Sequence, residues 1–482
     1  MKLKDLLQGL EPLTIHADLE QEITGVCYDS RQVQPGHLFV AISGFATDGH
    51  RFIPMALEKG AAVIFCEQIP AQECSYVQLP STRKALALAG ANWFGHPAEQ
   101  MTMIGVTGTN GKTTSTYLLK HILEQTQGAK VGLVGTIQNM IGDEVLYTER
   151  TTPESFELQA LFRQMLDAGC THVIMEVSSH ALVLDRVGGV RFRTGIFTNL
   201  THDHLDFHHT MEEYRKAKSM LFSVCDYGVI NVDDAYAAKI VEEARCPVLT
   251  YSAGKTQADL CASEAELHAD CVRFLASYQD KTENMELGIP GAFSVYNALG
   301  VIGAALTMGV SLEQIADSLA TARGVKGRAE VVPTPGKDYT VLIDYSHTPD
   351  SLENILHTTR EFCKGRLIAV FGCGGDRDPI KRPIMGRIAA QLADLVVVTS
   401  DNPRTEDPMK ILDQILVGVQ ELDTPHMVIE NRRQAIRWAM DNAGAGDVIV
   451  LAGKGHETYQ EIGHEKFHLD EREEVAAHLM GN

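Results

Sequence analysis

Eight consecutive residues, Thr107-Gly108-Thr109-Asn110-Gly111-Lys112-Thr113-Thr114, have the composition of a loop that cradles phosphate. Between a strand and a helix, such a loop presents unpaired backbone N–H groups and the positive end of the helix dipole to an anion. Gly108 and Gly111 let the backbone approach a phosphate closely, and Thr109, Asn110 and Thr114 complete the cradle. Lys112 can reach the β- and γ-phosphates, and the Thr113 hydroxyl can ligate Mg²⁺. The chemistry implied is phosphoryl transfer from ATP. The spacing departs from the general G-x-x-x-x-G-K-[ST] pattern, because position 106 is Val106 and Gly105 comes one residue early. A glycine-rich turn capped by threonines is the competing structural reading, and it leaves Gly-Lys-Thr-Thr at a strand–helix junction unexplained.

Two further groups could hold a metal. Glu176 follows an apolar strand directly, on the side of the sheet where the phosphate loop stands, and a carboxylate there suits a Mg²⁺ that also touches phosphate. His202, His204, His208 and His209 crowd one short stretch. On chemistry alone they leave zinc and a plain polar loop both open, since histidine prefers softer metals than Mg²⁺.

These residues require elements to position them. The segments 101–106, 172–177 and 195–199 read as buried strands, and 113–125 as the helix after the phosphate loop. Later, 341–345, 366–371, 394–399 and 447–451 read as strands separated by helical patterns. Such alternation implies parallel sheets with helices on both faces, whose ligands bind beyond the carboxyl ends of the strands. The unusual polar residues fall just after those ends: Glu176, Asn199, Asp344, Gly374-Gly375-Asp376-Arg377, Asp401-Asn402-Pro403-Arg404 and Gly453-Lys454-Gly455-His456-Glu457. Breaker clusters at Gly95-His96-Pro97 and Val332-Pro333-Thr334-Pro335-Gly336 divide the 482 residues into segments 1–98, 99–330 and 331–482.

Composition narrows the class. Apolar residues at 44% and charged residues at 22% suit a soluble globular protein. No apolar run is long enough to span a membrane, and residues 1–20 lack the apolar stretch of a signal peptide, so the cytoplasm is the expected location. Ten cysteines without a C-x-x-C pair argue against structural zinc, and most are expected to be free thiols. The formal charge of −21 disfavours nucleic acid and anionic membranes as partners. Phosphate substrates would then need a locally basic site in an acidic protein.

With the phosphate loop, the ordered series Glu176-Val177-Ser178-Ser179-His180, Thr198-Asn199-Leu200, Asp203-His204, Asn297, Gly327-Arg328 and Asp344-Tyr345-Ser346-His347-Thr348-Pro349 resembles the Mur ligases of bacterial cell-wall synthesis. The resemblance covers nearly the whole chain, and the displaced glycine matches that family's version of the loop. It implies an α/β fold of three domains: a small N-terminal α/β domain that binds the UDP-sugar, a central P-loop parallel-sheet ATPase domain, and a C-terminal Rossmann-like domain that binds an amino acid. The activity implied is ATP-dependent amide ligation through an acyl phosphate. Meso-diaminopimelate would be added to the D-Glu γ-carboxylate of UDP-MurNAc-L-Ala-D-Glu, in peptidoglycan precursor synthesis by a monomer.

The resemblance also assigns residues. Lys112 would neutralise the γ-phosphate, and Asn297, Arg328, Asp344 and His347 would lie at the nucleotide. Two Mg²⁺ ions are expected, with Thr113, Glu176, His204 and a carbamylated Lys218 as ligands. A desolvated lysine loses its proton more easily, and its neutral amine can take up CO₂; an ordinary surface lysine is the competing reading. Ser30, Thr151, Thr152, Ser178 and Arg186 match contacts to the sugar nucleotide and its peptide. Some members have a glutamine where this chain has Leu184, so that position is assigned no polar contact.

Asp401-Asn402-Pro403-Arg404 matches the family's diaminopimelate signature; lysine-adding relatives lack the arginine. A planar guanidinium can bind the second carboxylate of diaminopimelate through two hydrogen bonds. Arg377 would take a carboxylate too, and Asn402, Gly453 and Glu457 would fix the ammonium ends. Lys112, Arg186, Arg328, Arg377 and Arg404 would together make the basic site within an acidic protein. The rivals are a lysine-adding relative, a folylpolyglutamate-type ligase, a P-loop switch or regulatory ATPase, and an inactive homologue. Arg404 argues against the first and the N-terminal segment against the second. The Arg377, Arg404 and Glu457 cluster argues against the third, and Lys112, Glu176 and His204 against the fourth.

Overall fold

Three large sheets and one two-stranded hairpin carry the described residues, as the alternation of strand and helix patterns requires. The computed structural model describes residues 1–44, 47–146, 148, 150–254, 257–322 and 324–481, and of residue 206 the backbone alone. Two compact units result: Met1–Tyr251 with Gly303–Gly309, and Ser252–Ile302 with the chain from Val310 onward.

The first unit holds two sheets. The N-terminal one runs in the order Thr14–His16, Tyr76–Gln78, Val63–Cys66, His37–Val40, Gly25–Cys27, and all its neighbours are parallel except the first pair. The larger sheet places Thr102–Thr107 between Phe192–Phe197 and His172–Glu176, both parallel to it. Those three strands are almost wholly buried, as continuous apolar runs in a sheet covered on both faces must be. Helix Lys112–Gln127 starts directly after the phosphate loop, and Gly111, in the left-handed region (φ 86°), makes its N-cap. The N-terminal domain is tied to helix Ser155–Asp167 by the Tyr28 hydroxyl, which donates to Glu157 at 2.6 Å.

The second unit contains a three-stranded antiparallel meander, Leu260–Leu267, Val272–Tyr278 and Lys281–Leu287. It also contains a six-stranded sheet in the order Glu330–Val332, Thr340–Asp344, Val448–Ala452, Leu367–Phe371, Leu395–Val398, His426–Val428. Only the first pair of that sheet is antiparallel. The chain leaves Thr340–Asp344, fills three strands, and returns with Val448–Ala452 between Thr340–Asp344 and Leu367–Phe371. Four strand ends are thereby gathered side by side, the position where α/β sheets bind ligands. Among the described residues no helix is long and apolar enough to cross a membrane, and all ten cysteines are free.

A fully buried ion pair anchors one of those ends. Arg432 donates to Glu471 at 2.8 Å and to the Ala452 carbonyl at 2.9 Å, and both charged side chains are 0% exposed. Breaking such a pair from one side strands a buried charge, so Arg432→Met is expected to cost about 3–5 kcal/mol at neutral pH. Burial already pushes the Glu471 carboxyl above its ordinary range, with Arg432 opposing the shift. In the variant the protonated form is favoured further in the folded state. Its stability is therefore greatest at low pH and falls as pH rises from the unfolded glutamate value toward the higher folded one. Urea denaturation across that range checks this; a loss independent of pH would contradict it.

Candidate active site

The phosphate loop is braced from a neighbouring strand. Thr109 N–H donates to the Asn199 carbonyl (2.9 Å), Asn110 N–H to Asn199 Oδ1 (2.9 Å), and the Thr198 hydroxyl to the Asn110 carbonyl (2.7 Å). At Gly108 (φ 151°) a Cβ would stand 1.8 Å from Thr198 Oγ1, so this approach requires glycine. Lys112 Nζ donates to the carbonyls of Gly108 and Thr109 at 2.9 and 2.8 Å, which holds the ammonium over the loop.

Glu176, 1% exposed, is the hub beside the loop. Its carboxylate accepts the hydroxyl of Thr113 (2.9 Å), the N–H of Thr136 (2.9 Å) and the hydroxyl of Thr136 (2.9 Å). Thr136 Oγ1 lies 3.0 Å from Thr151 Oγ1, and the Thr152 hydroxyl donates to the Glu176 carbonyl at 2.9 Å. Ser178 caps helix Ser179–Val183 and contacts Thr152. Arg186 donates to the Thr152 carbonyl at 3.2 Å and pairs with Glu154 at 3.4 Å. The structure thus brings Thr113, Thr151, Thr152, Glu176, Ser178 and Arg186 into one connected network. Ser30 is buried in the N-terminal domain, with its hydroxyl 3.4 Å from the Met55 sulfur.

Lys218 lies on helix Met211–Ser219 and is 1% exposed, with its ammonium 4.4 Å from the centre of the Tyr214 ring. Burial first, and the charge of Lys112 second, lower its pKa well below the ordinary lysine value, against a smaller pull from Asp203. The surface-lysine reading is thereby excluded. His204 is half-exposed, in the left-handed region (φ 52°), 3.4 Å from Asp203 and edge-on to His180. His208 is buried against Ser179 and Tyr214. Among the described residues no three His, Cys, Asp or Glu side chains gather into a metal cage. The oxygen set of Thr113 and Glu176, already 2.9 Å apart, fits a hard cation that takes its remaining ligands from phosphate and water.

In the second unit Asp344 is buried at the end of its strand and accepts from Ala329 N–H at 2.8 Å and from the Ser346 hydroxyl. Burial pushes its carboxyl upward, and Ser346 and Arg328 oppose the shift. Arg328 lies over the Tyr345 ring, with its guanidinium carbon 5.5 Å from the centre. Its Nε is buried without a hydrogen-bond partner among the described residues, and so is Asn297 Nδ2. Unpaired buried donors are costly unless a ligand meets them. His347 is exposed and turns Nδ1 to the Tyr345 carbonyl at 2.9 Å.

The loops after four adjacent strands then line a cleft of about 380 Å³ that includes Arg377, Asp401, Asn402, Arg404, Gly453 and Glu457, with His347 at its wall. Pro403 sets the turn between Asn402 and Arg404; its carbonyl would stand 1.9 Å from a Cβ at Gly375. Arg404 adopts φ 49°, which costs a non-glycine residue about 1–2 kcal/mol. Two backbone bonds hold it there, Arg404 N–H to the Glu461 carbonyl (3.1 Å) and Gly463 N–H to the Arg404 carbonyl (2.8 Å). Its guanidinium donates to Glu461 (2.9 Å) and to the Gly375 carbonyl (2.8 Å). At Gly453 (φ 116°) a Cβ would meet Asp401 Oδ2 at 2.6 Å. Arg377 is exposed at the rim.

Three residues of this machinery escaped the sequence reading. Thr136 follows the strand end Val134, so its position was a usable signal. Lys454 sits inside a motif that was noticed, but its complete burial is set by packing. Glu461 pairs with Arg404 from 57 positions away, and nothing local marks it.

The chain, with its phosphate-loop sheet and a second, mostly parallel sheet that gathers a charged cleft at its strand ends, belongs to the Mur ligase family. The family's catalytic-domain model matches residues 22–107, its middle-domain model 106–305, and its glutamate-ligase-domain model 327–455. The chain is 48% identical to the UDP-N-acetylmuramoyl-L-alanyl-D-glutamate–2,6-diaminopimelate ligase of Clostridium tetani, over 98% of each chain. It is also 48% identical to the ligase of the same name from Clostridium botulinum, over 98% of this chain and 99% of that one. A solved structure of a ligase with this name superposes with a TM-score of 0.77 at 31% identity, covering 100% of this chain and 99% of the other.

Proposed function

We propose that the protein is the ATP-dependent ligase that joins meso-diaminopimelate to the D-Glu γ-carboxylate of UDP-MurNAc-L-Ala-D-Glu in peptidoglycan precursor synthesis. The observation that carries the reading is the cleft in which four strand-end loops assemble His347, Arg377, Asp401, Asn402, Arg404 and Glu457. A zwitterion with a second carboxylate needs such a mixture of fixed cations and anions. ATP phosphorylates the γ-carboxylate, the amine attacks the resulting acyl phosphate, and inorganic phosphate leaves; catalysis of this kind rests on positioning and charge neutralisation.

In this reading Lys112 neutralises the γ-phosphate, and the bare donors of Asn297 and Arg328 receive the nucleotide with Asp344 and His347. Ser30, Thr151, Thr152, Ser178 and Arg186 hold the sugar nucleotide and its peptide. Thr113, Glu176, His204 and Lys218 hold two Mg²⁺ ions, which supply charge stabilisation to the phosphoryl group when bound. The low proton affinity of Lys218 leaves a neutral amine that adds CO₂ and releases a proton, giving a carbamate with two ligand oxygens. The segments 1–98, 99–330 and 331–482 are the UDP-sugar, ATP and amino-acid domains. In the same reading the protein works in the cytoplasm, as a monomer.

Purified protein with ATP and Mg²⁺ is expected to release phosphate only when both UDP-MurNAc-L-Ala-D-Glu and meso-diaminopimelate are added. Release without the sugar nucleotide would reject the function, and release with L-lysine alone among amino acids would reject the specificity.

A further inference from the structure

Behind the acceptor cleft, and not lining it, lies a buried cation. Lys454 is 0% exposed, and its ammonium donates to Asn402 Oδ1 at 2.9 Å and to Glu457 Oε2 at 3.2 Å, with the Tyr459 ring centre 5.7 Å away. Burying an ammonium is costly unless its protons are taken, and here two carboxylate or amide oxygens and an aromatic face take them. The same Asn402 Oδ1 accepts a second bond from the N–H of Glu461 at 2.9 Å. With both lone pairs of Oδ1 engaged by donors, the Asn402 amide has one orientation. Its Nδ2 then points to Glu457 Oε2 and donates at 2.9 Å. Glu457 Oε2 thus carries two donors, and its position is set from behind the cleft.

The charges are paired in advance. Lys454 faces Glu457, and Arg404 faces Glu461 at 2.9 Å, so neither of these two carboxylates stands without a cationic partner. The hairpin Tyr459–Ile462 and Glu465–His468 links the two pairs, because Glu461 supplies both the carboxylate for Arg404 and the N–H for Asn402. Gln460 adds a bond to the Asp401 carbonyl at 2.6 Å.

We infer that Lys454 is a positioning residue for the amino-acid acceptor: it fixes Glu457, directly and through Asn402, so that the remaining carboxylate oxygen of Glu457 meets the acceptor's ammonium group. The inference rests on the cleft being the acceptor site, as proposed above. Lys454 touches no reacting atom; it acts through the two side chains it holds.

The test is steady-state kinetics on the full chain with each of the three substrates varied in turn. Lys454→Met is expected to raise KM for meso-diaminopimelate about tenfold or more, equivalent to ~1.4 kcal/mol. KM for ATP and for the sugar nucleotide should stay within about twofold of the original. Glu457→Gln should raise the same KM, and the double variant should be no worse than the worse single one, because both changes remove one unit. An unchanged acceptor KM, equal losses for all three substrates, or multiplicative effects in the double variant would each overturn the inference. Should Lys454→Met not fold, Lys454→Gln keeps a neutral donor for Asn402, and its acceptor KM should rise while KM for ATP does not. If neither variant folds, Lys454 is purely structural and the inference fails. Failure of the unaltered protein to use any amino acid would instead overturn the proposed function.

Discussion

Arg404→Ala is expected to lower kcat/KM for meso-diaminopimelate about 10³-fold while KM for ATP changes little. Removing one partner of a desolvated charge pair costs about 2–5 kcal/mol, and 10³-fold is ~4 kcal/mol. Two effects add. The second carboxylate of the acceptor loses a guanidinium whose backbone is locked at φ 49°. Glu461, left without its partner at 2.9 Å, then repels that carboxylate. Arg404→Ala combined with Glu461→Gln removes the repulsion and should recover part of the loss. L-lysine has no second carboxylate, so its kcat/KM should change little and the discrimination ratio should collapse. Arg404→Lys keeps the charge but loses the planar fork and should remain strongly impaired. A fall of less than about fivefold in the alanine variant would mean that Arg404 does not read the acceptor.

The second large effect is at Lys218. Lys218→Ala is expected to reduce turnover by about 10²–10³-fold, the range for loss of one preorganised electrostatic group. Short carboxylic acids such as acetate or formate should restore part of it, by replacing the missing carbamate oxygens. A structural role for the buried ammonium over Tyr214 makes different predictions. Lys218→Met, which fills the space, would then keep activity, and added acid would do nothing. Removing CO₂ from the unaltered protein should also depress activity reversibly if the neutral amine carries the carbamate. Full activity of untreated Lys218→Ala would end the proposal.

Local order made much of this legible. The phosphate loop is contiguous, and its glycines announce a close backbone approach; the one visible at Gly108 is to the neighbouring strand end, where a Cβ would stand 1.8 Å from Thr198 Oγ1. The apolar strand runs placed Glu176, Asp344 and the Arg404 loop at strand ends within a residue or two, because a parallel strand buried on both faces has a continuous apolar signature. Strand order was not legible: Val448–Ala452 inserts between Thr340–Asp344 and Leu367–Phe371, and only that return gathers the four loops. The locks on side chains were also hidden. Lys454 reads as any lysine in a glycine-rich turn until packing removes it from water. The depressed proton affinity of Lys218 likewise arises from burial and from Lys112, which is remote in sequence. Arg404 was legible as a motif, whereas its dependence on Glu461 was not.

One competition experiment bears most directly on the central claim. The protein is incubated with ATP, Mg²⁺, UDP-MurNAc-L-Ala-D-Glu and equal amounts of meso-diaminopimelate and L-lysine, and the products are separated by mass. The account predicts one main product, heavier than the sugar nucleotide by a diaminopimelate residue, with ADP and phosphate formed in equal amount. A lysine adduct as the main product, or ATP hydrolysis with no adduct at all, would contradict it.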